Sequence, residues 1–364
     1  MSSIETTRAT AGEPAPVWVA LPARRARLAR PGRWLVAGVV LACALLVGVL
    51  TGPAGLTPQA VLLELVGALP GVTVESGLTT QQQAILWQIR LPRVVLGAIV
   101  GMTLAVSGAT YQGVFRNPLA DPYLLGVSAG AGLGATLALT QADTIGQFGV
   151  PLMAFAGGLL AVGATYALGS SVGGARSSTV IVLAGVAVAA FFSAIQTFVQ
   201  QFFDESLLAV YSWMLGRLST NGWADIVMVL PYVAASWVLL LLHRRTLDVL
   251  AVGDVEAASL GVNVPRVRLI LVLTATLGTT AVVAVSGLIG FVGIVVPHAV
   301  RLVFGTSHRL LLPLSMLFGA AFLILADALA RTVVAPAELP IGVITAMVGA
   351  PFFLLVLRRN KVLS

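Results

Sequence analysis

The sequence predicts an all-α polytopic membrane protein, on three observations. The chain is 58% hydrophobic and only 10% charged over 364 residues, too little charge to cover a water-soluble protein of that size. Its apolar runs approach the length of about 20 residues that a helix needs to cross hydrocarbon, and they lack the short alternating pattern of barrel strands. Its basic residues fall between the runs or within a few positions of their ends, as topology signals do. The net charge of +7 is therefore a statement about orientation. No basic patch interleaved with aromatics is present, so the sequence gives no sign of a nucleic-acid partner. The one cysteine, Cys43, lies inside the first apolar run and forms no intrachain disulfide; it is read as a small packing residue.

Residues 1–33 contain Ser, Thr, Pro and a basic cluster of Arg24, Arg25, Arg27, Arg30 and Arg33. The basic region is long, and "VLTGPAGLTP" after the first apolar run offers no small-x-small cleavage site. The segment is read as a disordered cytoplasmic tail followed by a retained first helix. Ten spans follow from hydropathy and breakers, at 34–51, 91–115, 123–140, 149–171, 178–202, 225–242, 268–285, 288–304, 311–330 and 340–357, giving one transmembrane domain over 34–364. The close approach of two runs at Ser286–Gly287 implies a tight hairpin or a re-entrant segment. Glycines at small-xxx-small spacing, Gly97/Gly101, Gly126/Gly130 and Gly130/Gly134, let helix backbones approach closely. "AVSG" recurs at 105–108 and 284–287, a weak internal echo with Pro118 and Pro297 at matching offsets.

With the amino terminus inside, ten spans return Arg358, Arg359 and Lys361 to the same face, so both termini are cytoplasmic. The inner connections then carry Arg116, Arg176, Arg244, Arg245, Arg266, Arg268, Arg301 and Arg309, and with Arg8 seventeen of the 21 basic residues are inside, as the positive-inside rule requires. The four exceptions are Arg90, Arg93, Arg217 and Arg331. Two readings are open for them. One is local pairing, Arg331 with Asp327 four residues earlier and Arg90 and Arg93 with headgroups. The other is a docking ring for an acidic partner, since a guanidinium matches a carboxylate in a two-bond fork. The longest inner connection, 243–267, is amphipathic: Leu247, Leu250, Ala251 and Val255 fall at helical spacing, and Gly253, Gly261 and Pro265 cut it into short pieces. Asp248, Asp254 and Glu256 disfavour anionic lipid, which leaves a soluble partner as the better occupant of that face.

Several chemistries have no support. There is no GxxxxGK[ST], so this chain does not hydrolyse ATP at a P-loop. There is no HExxH, CxxC or carboxylate pair, and no residue set for a metal or other cofactor. Ionisable residues within the spans are scarce apart from Asp327, which disfavours an ion-coupled secondary transporter, and no channel filter loop appears.

Taken together, "RLPRVVLGAIVGMTLAVSG", "FRNPLADPYLLGVSAGAGLGA", "GDVEAASLGVNV", "GLIGFVGIVVPHAVRLVFGTSHRLLLP", "LADALAR" and "ELPIGVITAMVGAPFFLLVL" closely resemble the permease subunit of type II ABC importers, the family that carries ferric siderophores, cobalamin and haem. The likeness runs in order from about residue 85 to the end. It implies ten helices with short cytoplasmic coupling helices, no enzymatic activity, and residence in a bacterial cell membrane. It implies a second permease subunit making a homodimer or close heterodimer, two ATP-binding cassette subunits inside, and one extracytoplasmic substrate-binding protein outside. By the same resemblance Arg90, Arg93 and Arg331 are docking residues for the binding protein. Asn117 and Leu119, with Ser178 at the start of the fifth span, form the cytoplasmic gate, for which a plain Asx-Pro turn is the simpler alternative. Val252–Val264, with Gly253, Asp254, Glu256, Leu260 and Gly261, meets the ATPase. Residues 204–217 resemble a short outer gating helix. His298 matches a family motif and is read as a helix-end hydrogen bonder rather than a metal ligand. The rival function class is the ion-coupled carrier acting alone.

Overall fold

The computed structural model describes residues 30–52, 55–72, 74–146, 148–173, 178–219 and 222–361. Most of the expected tail, residues 1–29, and Arg176 lie outside the described residues. The described residues form helices joined by turns and short connections, with no strand among them. In chain order the elements are α1 (Arg30–Leu50), α2 (Pro58–Gly67), α3 (Thr80–Ala84), a π-helical turn (Ile85–Arg90), α4 (Leu91–Phe115), a 3₁₀ turn (Pro122–Leu125) and α5 (Val127–Leu139). There follow α6 (Ala142–Ile145), α7 (Gly149–Gly173), α8 (Ser178–Gln200), a 3₁₀ turn (Asp204–Ser206), α9 (Leu207–Met214), α10 (Trp223–Leu242), α11 (Arg244–Leu250) and α12 (Asp254–Ser259). The last four are α13 (Val264–Ser286), α14 (Val292–Phe304), α15 (His308–Thr332) and α16 (Ile341–Lys361).

A helix stands at each of the ten expected positions. Seven helices among the described residues are long and apolar enough to cross a membrane. The expected spans 123–140 and 288–304 are different: α5 and α14 have 13 residues each, about 20 Å at 1.5 Å per residue against about 30 Å of hydrocarbon. The residues before each are as apolar as a helix but do not form one. Gly126, at φ 82, separates the 3₁₀ turn from α5, and Phe291, at φ 69, precedes α14. At Ser286–Gly287 the chain makes no tight hairpin. Gly287 ends α13 at φ 67 and a partly buried non-helical stretch runs to Phe291. Its polar backbone is matched inside the protein, as backbone at membrane depth must be: the Ile289 amide donates to the Tyr123 hydroxyl at 3.3 Å, and that hydroxyl donates to the Ile289 carbonyl at 3.2 Å. Of the two AVSG copies, one lies inside α4 and the other at the end of α13.

The helix expected from residue 91 begins much earlier. Thr79 and Gln82 form a capping box, and the helix runs unbroken from Thr80 to Phe115. Pro92 therefore lies inside it and cannot donate to the chain behind. The π turn absorbs the fault: the Leu91 amide reaches back five residues to the Leu86 carbonyl, and the Trp87 carbonyl takes the Trp223 indole N–H at 3.0 Å. Glu64 of α2 accepts from Ser76, Gln83 and Trp87, fastening α2 against this extension.

α4 is the axis. Its apolar stretch is 83% buried, against 22% for α1, and α10, α13, α14 and α15 pack around it. Of the spaced glycines, Gly101, Gly130 and Gly134 allow close backbone approach, whereas Gly97 faces the Leu218 and Ile324 side chains and Gly126 has only ordinary contacts. A methyl at Gly101 would meet the Gly319 carbonyl of α15, one at Gly108 the Gly293 carbonyl of α14, and ones at Gly130 and Gly134 the Gly157 and Met153 carbonyls of α7.

Candidate functional sites at the two ends of the bundle

At the Arg90 end, the three expected docking arginines converge, but two are not on a free rim. Arg90 and Arg331 are each 4% exposed. The last carbonyls of a helix lack intrahelical donors, and these side chains supply them for α1. Arg90 Nη1 donates to the Val49 carbonyl at 3.1 Å, and Arg331 donates to the Thr51 and Gly48 carbonyls at 2.9 and 3.1 Å. Arg331 Nε also meets Asp327 at 2.9 Å, one turn away on α15, so the local-pairing reading of that residue is correct as geometry. Arg93 holds Asp327 at 2.9 Å and Glu338 at 2.9 Å; Asp327 is buried, whereas the Glu338 side chain is 41% exposed. Arg93, Asp327, Glu338 and the exposed Arg217 line an open cavity of about 230 Å³ beside α9. α9 buries Val210 and Trp213 and leaves Leu208 and Tyr211 outside. Its C-terminal Leu215 carbonyl accepts from Gly342 at the start of α16.

At the opposite end of α4, Arg116 adopts the left-handed conformation (φ 49) that closes the helix. Asn117 Oδ1 accepts from the Leu119 amide at 2.9 Å, an Asx turn of the kind Asn and Pro favour, and Leu119 is 42% exposed. Ser178 is the first residue of α8, and its side chain lies outside the described residues.

The connection 243–267 folds into α11 and α12. Gly253 (φ 150) and Gly261 (φ 84) bracket α12, conformations that cost a side-chain-bearing residue dearly. Leu247, Leu250 and Ala257 are buried against the bundle. Val252, Val255 and Leu260 are 67%, 79% and 69% exposed. Glu256 lies in the first turn of α12, where acidic side chains suit the helix dipole. Asp254 bonds the Arg116 guanidinium at 3.1 Å and that of Arg268, from α13, at 3.0 Å.

Asp248 of α11 has a part that sequence reasoning missed. It accepts the His308 amide at 2.6 Å, the Ser307 hydroxyl at 2.9 Å and His308 Nδ1 at 2.9 Å, and so caps α15 from another helix. Burial alone would raise its carboxyl, but the bonds from His308 and Ser307 hold it below the usual carboxylate range. No local signal announces a cap whose donors lie 60 positions away. His298 rests edge-on against Phe352, with ring centres 5.8 Å apart.

Comparisons with known proteins agree with one another. The FecCD transport family matches residues 39–359. The cobalamin import system permease BtuC of Halobacterium salinarum is 40% identical, over 92% of this chain and 98% of that protein. The hemin transport system permease HmuU of Yersinia pestis is 41% identical, over 75% of this chain and 83% of its own length. A solved inward-facing ABC transporter of metal-chelate type superposes with a TM-score of 0.79 at 28% identity, covering 90% of this chain and 99% of that one.

Proposed function

Because the chain belongs to the FecCD transport family, we propose that it forms one half of the membrane path of an ATP-driven importer for a bulky metal chelate, of the ferric siderophore, cobalamin or haem class. It is a multi-pass membrane permease and not an enzyme; ATP hydrolysis is the work of a separate subunit. In this reading residues 34–364 are one ten-helix domain in which α5, α14 and α16 complete the seven long spans, and both termini face the cytoplasm. Two permease chains, two ATP-binding cassette subunits and one extracytoplasmic binding protein make the working assembly. The observation that carries the partnered reading is α12. Val252, Val255 and Leu260 stand exposed beside it at a charged end of the bundle, where apolar side chains call for a groove in another protein. Gly253, Asp254, Glu256, Leu260 and Gly261 are its ATPase contact, and the Asn117–Leu119 turn with Ser178 is the gate at that end.

The Arg90 end receives the binding protein. Arg93 is the exchangeable member of the cluster, because its Glu338 partner is exposed, and Arg217 adds a second cation at the cavity. Arg90 and Arg331 support the surface from beneath by holding α1. A carrier acting alone would use a buried carboxylate for its ion; of the two buried among the described residues, Asp327 is engaged by two arginines and Asp225 lies in the first turn of α10, at the helix end rather than at its middle. The deciding experiment charges the exposed face of α12 and leaves Asp254 in place, as Glu256→Lys with Leu260→Lys, in the assembled transporter. Stimulation of ATP hydrolysis by the loaded binding protein should be abolished while the permease still inserts as a dimer. Survival of that stimulation would remove α12 from the coupling path. The cargo is settled by binding of labelled cobalamin, haemin and ferric siderophores to the cognate binding protein.

A further inference from the structure

Arg116 and Arg268 have no part in the reading above, yet both sit on Asp254. Their environments differ sharply. Arg268 is 3% exposed, anchored in α13, and its Nη2 lies 3.2 and 3.0 Å from the two Asp254 oxygens. Arg116 is 38% exposed and meets Asp254 at 3.1 Å. Stripping a buried cation of its carboxylate is far more costly than opening a half-exposed pair. Asp254 therefore stays with Arg268, and α12 is bound to the foot of α13 as one body between its two glycines. Arg116 is the member able to tighten or let go. It is the residue that closes α4, and Asn117 is the next in the chain.

We propose that the Arg116–Asp254 pair is the link through which displacement of α12 reaches the Asn117–Leu119 turn, with Arg268 as its fixed anchor. The inference rests on the reading of α12 as the ATPase contact and of that turn as the gate. It assigns Arg116 as a positioning residue: it touches neither cargo nor nucleotide and acts by setting where α4 ends. When α12 and the foot of α13 move together, the pair draws the end of α4 with them; with the pair open, the turn is free of α12.

The test uses the full chain in liposomes, with Cys43, which is exposed, replaced by Ser and spin labels placed at Val255→Cys and Leu119→Cys. The distance distribution between the labels should be narrow in the parent, broad in Arg116→Gln and narrow again in Arg116→Lys. Leak of trapped carboxyfluorescein should rise several-fold in Arg116→Gln and return towards the parent level in Arg116→Lys. A parent distribution and leak in Arg116→Gln, or Lys behaving as Gln does, would overturn the link. If Arg116→Gln does not insert, Arg116→Met in the labelled protein answers the same question, because it keeps the length of the side chain and removes its donors and should broaden the distribution; an unchanged distribution overturns the proposal. A separate arm, capture of the ATPase subunit by Leu260→Glu, isolates the underlying reading. Normal capture there would remove α12 as the contact and the link's purpose with it, whatever the labels report.

Discussion

Asp248 and Asp254 lie on adjacent short helices, both in a loop read from sequence as amphipathic, and each closes a contact that no local pattern encodes. Asp254 finds Arg116 across 138 positions of chain, and Arg93 finds Asp327 across 234. The Asp327–Arg331 pair was legible because four residues on a helix make neighbours; the others depend on which helices pack together. For Asp248 the physical consequence is a dependence on pH. Its folded carboxyl titrates below its unfolded value of about 4, so its contribution to stability is complete above that pH and is lost as pH falls through the lowered value. Asp248→Ala should lower stability at pH 7 by about 1 kcal/mol, the usual worth of a helix cap. It should also flatten the fall of Tm between pH 5 and 3, followed by tryptophan fluorescence in detergent. A parallel fall in parent and variant would show that other carboxylates govern the acid limb.

At the scale of elements, hydropathy located every long helix, because a run of apolar residues bounded by Gly, Pro and charge has one stable form in lipid. It failed where apolar sequence is not helical. Residues 122–125 form only a 3₁₀ turn and 287–291 no helix, although both stretches are apolar and partly buried; hydropathy reports burial and says nothing of conformation. It also failed at Thr80–Arg90, where "TTQQQAILWQIR" is too polar to read as a span although it is helical and continuous with α4. The glycine spacing was the more informative signal, and it yields a specific expectation. Gly101→Ala places a methyl on the backbone of Gly319 with no flexible side chain to yield. It should cost about 1–3 kcal/mol, as overpacking does, seen as a lower Tm and a loss of monodisperse protein in detergent. Gly38→Ala, which meets nothing within 4 Å, is the control and should be neutral or slightly stabilising. Equal behaviour of the two variants would mean that α4 and α15 have slack between them.

For the molecule as a whole, the charge pattern picked out arginines that converge at one end of the bundle, but it gave an incorrect picture of their exposure. Arginines against the topology rule were read as a free rim, yet Arg90 and Arg331 hold the end of α1, a use that only the returning chain reveals. This sharpens the docking expectation onto Arg93. Arg93→Gln should slow association of the binding protein about fivefold at low salt and progressively less as salt is raised, since a rim pair is worth about 1 kcal/mol and is screened. Association by surface capture across an ionic-strength series measures this, and a salt-independent rate insensitive to the substitution would place docking elsewhere. Basal ATP hydrolysis should be unaltered, because the Arg116 end is untouched.

The contacts of α4 with α14 and α15 through Gly108, Gly293, Gly101 and Gly319 also have a mechanical side. Helices usually lock through knobs seated in holes, and shifting one past another means unseating side chains from their rotamers. Backbone lying on backbone offers no such ratchet. These faces resist being pulled apart, since close contact is what dispersion rewards, and displacement along the axis, the small shift by which packed helices change register between states, is opposed by the polar ties of α4 to its neighbours, Arg93 to Asp327 on α15 and Gln112 to the Gly293 carbonyl on α14. The glycines that let α4 lie on its neighbours' backbone thus make it a bearing pinned by its polar ties, and intolerant of a single added methyl.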